Sequence, residues 1–315
     1  MRQARTRLPE ASWLVSSDPS HSFGRNTNRI SLPQYENTIT IKAEAAIHSG
    51  SGFSFNHMKF QGILLCSDYD GTLKISPENL AALKYFTENG GRFTMASGRY
   101  PTHFRDAVEG LPINAPVIAL NGNAIYDLDT DTLLWSNPKP DALAEEMVRY
   151  AAANFDTFQL TLNCMKTGIV FRPHDGDPVE AVLRALYADD SPAPVLKVHI
   201  IKMPKIPPEM RRGFEETFPQ LTVTTSGWGG LELYLHGGGK GAAIRRLRSL
   251  LPEIRTVVGV GDWENDICML TEADIGYAVE GAWVELKAAA DRVTVSYHQN
   301  AISKIIDDLD KEYQL

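Results

Sequence analysis

Two aspartates at the end of an apolar run are the first candidates for chemistry. Asp68 and Asp70 lie two residues apart and directly follow the apolar segment 62–66, which is typical of a buried strand. Like charges this close raise one another's pKa unless a cation or a substrate group compensates them. Because ligands of open α/β sheets bind at the carboxyl ends of strands, the pair indicates chemistry on a metal-bound substrate.

Three further polar groups occupy equivalent positions. Segment 97–99 (Ser-Gly-Arg) and segment 261–266 each follow a predicted strand, and Lys240 opens a predicted helix after three glycines. Ordinary explanations exist, since Ser and Asp cap helices and glycines form hinges. Lys240 fits them less well, because a cation at a helix N-terminus opposes the helix dipole. A phosphate bound there would be favoured by the helix end and by the lysine.

Alternating strands and helices must position these groups. From residue 62 a βαβ pattern begins, and after residue 241 it resumes, which predicts a doubly wound, mostly parallel Rossmann-like sheet of the α/β class. The middle of the chain reads as a separate α+β layer, inserted as a second domain. We therefore predict a core domain in two parts, an inserted α+β domain and an N-terminal tail, with bounds 58–137 and 237–315 for the core, 138–236 for the inserted domain and 1–57 for the tail.

Local signals predict the individual elements. Ser76 followed by Pro77 is a typical helix start, with Ser76 as the N-cap. Segments 124–126 and 133–135 flank an Asp-rich turn and predict a hairpin. The other predicted strands are 63–67, 93–96, 117–120, 158–162, 168–171, 196–202, 221–225, 231–235, 256–260, 275–279 and 292–296, and the other predicted helices are 141–154, 178–188, 208–217, 241–250, 264–271, 283–290 and 299–310.

In a common order, these motifs resemble one known family. The carriers are the segment Asp-Tyr-Asp-Gly-Thr-Leu at 68–73, Ala-Ser-Gly-Arg at 96–99, Asn-Gly at 121–122, Lys-Gly at 240–241 and Gly-Asp-Trp-Glu-Asn-Asp-Ile-Cys-Met-Leu at 261–270. From residue 58 to about 311, the chain resembles the haloacid dehalogenase-like phosphohydrolases, in their Cof-type branch with the larger α+β cap. Segments 279–282 and 299–302 depart from the family pattern, which weakens assignment to a substrate subgroup.

The resemblance implies a Mg²⁺-dependent phosphatase that acts through an aspartyl-phosphate. Asp68 would be the nucleophile, and Asp70 would be the general acid and base, a role that needs a pKa raised by crowding. Mg²⁺ would bind the Asp68 carboxylate, the Asp70 main-chain carbonyl and the Asp262 carboxylate. Asp266 would support the metal site, either through a water or behind the direct ligands.

The resemblance also implies the phosphate contacts. Ser97 would donate to the phosphate, and Lys240 would neutralise charge on the phosphate and on Asp68. The residues expected at the phosphate or the substrate are Gly71, Gly98, Arg99, Asn121 and Asn265. The expected substrate is a small phosphorylated metabolite, with a sugar phosphate or similar phosphomonoester leading. A phosphomutase of the same superfamily, or a non-catalytic protein that binds a phosphorylated ligand, remains the alternative.

Composition limits the partners. The net charge of −8 argues against a nucleic-acid surface, and no apolar run approaches the roughly 20 residues that span a bilayer. Cys66, Cys164 and Cys268 are scattered, which favours a reducing compartment. We expect a cytoplasmic monomer or weak homo-oligomer that binds neither nucleic acid nor membrane.

The first 57 residues differ from the rest. They are rich in Ser, Asn, Thr and Arg and lack a sustained apolar period. A disordered tail, or an extension ahead of a true start at Met58, explains this composition. An organellar transit peptide is the alternative, which Glu10 and Asp18 weaken because such peptides avoid acidic residues.

Overall fold

The computed structural model describes residues 58–227 and 229–313, so the predicted tail lies outside the described residues. The strands are β1 Ile63–Ser67, β2 Arg92–Met95, β3 Val117–Ala119, β4 Ala124–Asp127, β5 Thr132–Ser136, β6 Gln159–Asn163, β7 Gly168–Phe171, β8 Lys197–Ile201, β9 Leu221–Thr225, β10 Gly230–Leu235, β11 Thr256–Gly261, β12 Ile275–Ala278 and β13 Arg292–Val293. The α-helices are α1 Pro77–Glu88, α2 Pro101–Ala107, α3 Asp141–Asn154, α4 Val179–Leu186, α5 Pro208–Thr217, α6 Lys240–Leu250, α7 Ile267–Glu272, α8 Val284–Ala289 and α9 Ala301–Glu312. Among the described residues, no helix has the length and apolar character that a membrane crossing requires.

The central sheet is parallel and has the order β13-β12-β11-β1-β2. Every residue of β1 is buried, as expected for a strand covered on both faces. Strands β1 and β11 are neighbours, and Ser67 pairs with Val260 at their carboxyl ends. The residues that follow these two strands therefore emerge side by side at one edge of the sheet.

A short antiparallel sheet, β3-β4-β5, adjoins the central sheet through a parallel bridge between Ala96 and Ile118. It contains the predicted hairpin: β4 and β5 pair antiparallel, and the Asp127 side chain accepts hydrogen bonds from the backbone of the turn between them. The bridge brings the turn after β3 beside the segment that follows β2.

A second large sheet, entirely antiparallel, has the order β7-β6-β8-β10-β9. One of its faces carries Leu160, Leu162, Val198, Ile200, Leu231 and Leu233, which pack into a hydrophobic cluster with helices α3, α4 and α5. Because strand side chains alternate, the other face carries a different set, in which Thr161, His199, Glu232 and Thr224 form one row. We call this sheet and its helices the cap; their elements lie within the predicted range 138–236, whose bounds stay a prediction.

Local structure differs from the sequence prediction in three places. The predicted helix 264–271 is a 3-10 turn, Glu264–Asp266, followed by α7. The Asp266 carboxylate accepts hydrogen bonds from the backbone at the start of that turn, which tightens it. Helix α2 was not predicted, although Pro101 stands at its first position. Strand β13 ends after two residues. The N-cap Ser76 is confirmed, since its hydroxyl accepts from the Asn79 amide.

Candidate active site

Asp68 follows β1 directly and is almost fully buried. Its backbone amide donates to Val260 of β11, which fixes the chain at the edge of the central sheet. Lys240 Nζ lies 2.5 Å from Asp68 Oδ1 and is itself fully buried. A buried carboxylate requires such a partner, so the two residues form the base of the site.

Lys240 is the first residue of α6 and bridges two carboxylates. Its Nζ also lies 2.5 Å from Asp266 Oδ1. Burial alone would lower the pKa of the Lys240 ammonium, but the charges of Asp266 and Asp68 raise it above its ordinary value. The two carboxylates thus compensate a cation that the helix dipole disfavours.

Asp266 is fully buried and uses both carboxylate oxygens in hydrogen bonds. While Oδ1 accepts from Lys240, Oδ2 accepts from the amides of Asp262 at 3.0 Å and Trp263 at 3.2 Å. Asp266 therefore holds both the lysine and the loop that carries Asp262. This arrangement fits a supporting position behind the direct metal ligands.

Asp262 follows β11 and faces the segment after β1. Thr72 Oγ1 donates to Asp262 Oδ1 at 3.2 Å. Gly71 has φ +83°, and a Cβ there would lie 2.3 Å from Asp262 Oδ2, so the close approach requires glycine. Burial, together with the negative charge of Asp266, raises the pKa of Asp262 to about 7.

Asp68, Asp262 and Asp266 form a cluster whose carboxylate oxygens lie within 4.8 Å of one another. Burial raises the pKa of Asp68 well above its ordinary value, and Asp266 and Asp262 add to the rise while Lys240 opposes it. One ammonium cannot balance three carboxylates, so the cluster favours a further cation. An all-oxygen donor set of this kind fits Mg²⁺.

Asp70 lies apart from this buried cluster, with 57% of its side chain exposed. Its two carboxylate oxygens lie 3.0 and 3.3 Å from Arg99 Nη2. The Arg99 guanidinium in turn stacks on the Tyr69 ring at 4.6 Å. The structure therefore pairs Asp70 with Arg99, a contact that the sequence did not predict.

Ser97, Gly98 and Asn121 meet where β2 and β3 end. The Ser97 carbonyl accepts from the Asn121 amide at 2.9 Å, and the Ser97 hydroxyl accepts from the Arg99 amide at 3.3 Å. Asn121 adopts a left-handed φ of +52°, which directs its side chain towards the cap. Asn265, the last predicted phosphate contact, lies within the 3-10 turn between Glu264 and Asp266.

Sequence reasoning missed the cap residues that face this site. Asn121 Nδ2 donates to Glu232 of β10, and Glu232 also pairs with Lys197 of β8 at 3.1 Å. Lys197 Nζ reaches the Gly98 carbonyl at 3.5 Å. The available signal was a charged residue in each of two largely apolar strands, Lys197 at the start of β8 and Glu232 within β10.

Comparison with known proteins identifies the family. A family model described as haloacid dehalogenase-like hydrolase matches residues 65–306. The chain belongs to this family. The haloacid dehalogenase-like membership predicted from the motifs is therefore confirmed, as is the α/β fold with its cap.

This haloacid dehalogenase-like hydrolase is similar to phosphatases along nearly their whole length. The Bacillus subtilis 5-amino-6-(5-phospho-D-ribitylamino)uracil phosphatase YcsE is 24% identical over 249 residues, which cover 77% of this chain and 94% of YcsE. A haloacid dehalogenase-like hydrolase from B. subtilis has the same fold, with TM-score 0.64, 20% identity and coverage of 78% of this chain and 98% of that one. The subclass IIB sugar phosphatase BT4131 also has this fold, with TM-score 0.65 and 19% identity. The match covers 78% of this chain and 98% of BT4131.

Proposed function

We propose that this protein is a Mg²⁺-dependent phosphatase that hydrolyses a sugar phosphate or a similar small phosphomonoester through an aspartyl-phosphate. The chain is a phosphoric monoester hydrolase of the haloacid dehalogenase-like family. The observation that carries the proposal is Lys240, whose Nζ bridges Asp68 and Asp266 at 2.5 Å beside the Asp262 carboxylate. The names of YcsE and BT4131 as phosphatases support the same reaction.

Asp68 is the proposed nucleophile. A carboxylate oxygen of Asp68 attacks phosphorus, and the bond from phosphorus to the leaving oxygen breaks. Lys240 holds Asp68 Oδ1 and orients the carboxylate for this attack. Water then attacks phosphorus in the aspartyl-phosphate, the bond to Asp68 breaks, and inorganic phosphate leaves.

Asp70 is the proposed acid and base. In the first step it gives its proton to the leaving alkoxide, and in the second it takes a proton from the attacking water. Exposure of its side chain suits exchange of protons with solvent and substrate.

Mg²⁺ is the proposed metal, and the residues present fit it. Asp68 and Asp262, with the Asp70 main-chain carbonyl that the family resemblance implies, would hold the ion. Bound Mg²⁺ would neutralise negative charge on the phosphate and on Asp68. Asp266 would act through Lys240 and the loop amides, because both of its oxygens already accept hydrogen bonds.

The polar face of the cap sheet supports a hydrophilic leaving group. Strand register aligns Thr224, Glu232, His199 and Thr161 in one row across this face. Glu232 and Lys197 connect the face to Asn121 and Gly98, two of the predicted phosphate or substrate contacts. A cap surface that carries hydroxyl, imidazole and carboxylate groups suits a polyhydroxylated substrate better than an apolar one.

A cytoplasmic location and a monomeric or weakly oligomeric state stay predictions.

A panel of phosphomonoesters tests the proposal. The purified protein with Mg²⁺ is offered p-nitrophenyl phosphate and a set of sugar phosphates, and released phosphate is measured. We expect turnover that requires Mg²⁺ and a preference for sugar phosphates. Asp68→Asn should abolish it, and full activity in that variant would overturn the nucleophile assignment. Isomerisation of a sugar phosphate without phosphate release would indicate a phosphomutase instead.

A further inference from the structure

The loop that carries Asp262 contacts the cap through Glu264. This residue lies two positions after Asp262 and two before Asp266, in the 3-10 turn. Its side chain is only 12% exposed, although glutamate usually faces solvent. The burial comes from cap residues of α5 and β9.

Arg211 of α5 binds the Glu264 carboxylate through both terminal nitrogens of its guanidinium. Arg211 Nη1 lies 3.0 Å from Oε2, and Nη2 lies 2.6 Å from Oε1. Such two-point pairing of guanidinium and carboxylate is among the strongest and most directional contacts between side chains. It therefore fixes both the distance and the orientation of the loop relative to α5.

Thr225, the last residue of β9, binds the same carboxylate. Its amide and its hydroxyl reach Glu264 Oε2 at 3.0 and 2.5 Å. The Thr225 hydroxyl also accepts from the indole Nε1 of Trp263 at 3.1 Å. Two consecutive loop residues thus converge on one cap residue.

The loop is held on its other side by Trp283. The Trp283 amide donates to the Asp262 carbonyl at 2.9 Å, and its ring stacks on Trp263 with centroids 5.8 Å apart. Asp262 therefore sits in a segment whose backbone is fixed by Trp283 and Asp266, and whose side chains reach the cap through Trp263 and Glu264.

The carboxylates of this segment have separate cationic or polar partners. Asp266 pairs with Lys240, Glu264 with Arg211, and Asp262 accepts from Thr72. Without Arg211 the Glu264 charge would add to the repulsion between Asp262 and Asp266. The cap thus supplies the loop with the positive charge of Arg211, which compensates Glu264.

We propose that Glu264 is a positioning residue that couples the seating of the cap to the conformation of the loop that carries Asp262. Its contacts with Arg211 and Thr225 form only when the cap is seated, and they fix the loop in its observed arrangement. Release of the cap leaves Glu264 uncompensated and loosens the loop. The coupling rests on the proposed function and extends it, because it links closure over substrate to the metal-binding carboxylate.

Glu264→Gln and Arg211→Gln test this coupling. Each retains most of the side-chain volume but removes one charge of the pair. We expect kcat to fall roughly tenfold or more in each variant, with KM changing less, because the loss affects the organised site rather than ground-state binding. The double variant should be no worse than either single one, since both remove one interaction.

Glu215→Gln is the matched control. Glu215 pairs with Arg211 Nε at 2.8 Å within α5, so this change removes the other partner of the same guanidinium and leaves the contact between cap and loop intact. We expect kcat and KM of this variant to stay within about twofold of the wild type. A loss equal to that of Glu264→Gln would overturn the proposal.

Amide exchange at Thr225 gives a readout that does not depend on activity. Its amide donates to Glu264 rather than to a neighbouring strand, so hydrogen exchange there reports the contact directly. We expect faster exchange in Glu264→Gln and Arg211→Gln and wild-type exchange in Glu215→Gln. Unchanged exchange in the first two variants would overturn the coupling. Because exchange needs no substrate, this result stands even if the protein hydrolyses none of the phosphomonoesters offered.

Discussion

Lys197 and Glu232 form an ion pair of 3.1 Å in which the two side chains are only 4% and 3% exposed. They lie on the neighbouring cap strands β8 and β10, and each also contacts the core. Lys197 reaches the Gly98 carbonyl, and Glu232 accepts from Asn121. A further contact between cap and core, between Arg211 and Glu264, lies on the loop that carries Asp262. The cap therefore touches the segment next to the predicted phosphate contacts and the segment next to Asp262.

Glu232→Gln should destabilise the protein markedly. The change leaves the Lys197 ammonium buried without its carboxylate, which typically costs about 3–5 kcal/mol. Urea unfolding of the two proteins measures the loss. Replacing both partners, as in Lys197→Met with Glu232→Leu, should recover part of it, because no charge then stays buried. Single and double variants of equal stability would contradict this account.

Glu253→Gln provides the comparison for that experiment. Glu253 pairs with Arg92 at 3.2 Å, but their side chains are 46% and 42% exposed. Solvent-exposed pairs typically contribute about 0–1 kcal/mol, so this variant should unfold almost like the wild type.

Most of the fold follows from local sequence patterns. The apolar run 62–66 predicts β1, and Ser76 with Pro77 predicts the start of α1, because these signals act within a few residues. The carboxyl-end rule for parallel sheets brings Asp68 and Asp262 together, since β1 and β11 are neighbours. The sequence also places the positive charge of Lys240 at a helix N-terminus, where it needs a negative partner. Asp68 and Asp266 are two such partners.

The contacts between core and cap could not be predicted in the same way. Arg211 and Glu264 are 53 residues apart, and their pairing depends on how two separate sheets dock. Glu232 lies opposite His199 and diagonal to Lys197 only because strands β8 and β10 pair in one particular register. Neither docking nor register is encoded in a local pattern, so the sequence alone did not link Asn121 to the cap.

Gly71→Ala should impair the site beyond the cost of its backbone. At φ +83° an alanine is strained by about 1 kcal/mol, and its Cβ would also meet Asp262 Oδ2 at 2.3 Å. We expect Asp262 to be displaced, with a large loss of Mg²⁺-dependent phosphate release. Gly176→Ala separates the two effects, because Gly176 has φ +86° but no atom lies within 4 Å of the position that a Cβ would occupy there. That control should lose a similar amount of stability through backbone strain and keep its activity. Equal activities in the two variants would contradict the role of the close approach.

Lys240→Met should destabilise the protein most when divalent cations are absent. The change leaves the Asp68 and Asp266 carboxylates buried without their ammonium, and breaking a buried pair typically costs about 3–5 kcal/mol. Urea unfolding in EDTA and in Mg²⁺ measures the loss under both conditions. We expect a smaller loss in Mg²⁺, because a bound cation compensates part of the charge. Lys84→Met, in an exposed pair with Glu88, should change little under either condition.

Asp262 should make the metal-free protein less stable as pH rises from about 4 to 7. The pKa of Asp262 is about 7 in the folded chain against 3.8 for an ordinary aspartate, so between these values the folded state binds more protons than the unfolded one. Ionisation of Asp262 then opposes folding, by roughly 2–4 kcal/mol once complete. Urea unfolding across this range in EDTA measures the stabilities of the wild type and of Asp262→Asn, and the difference between them should shift against the wild type as pH rises. Saturating Mg²⁺ should reduce this shift, since the ion favours the carboxylate. The comparison with Asp262→Asn is needed because burial also lowers the pKa of His199 from 6.5 to about 4, which makes the protein more stable as pH rises over the same range, and raises the pKa of Asp68. A slope that is the same in Asp262→Asn and in the wild type would show that another group causes it.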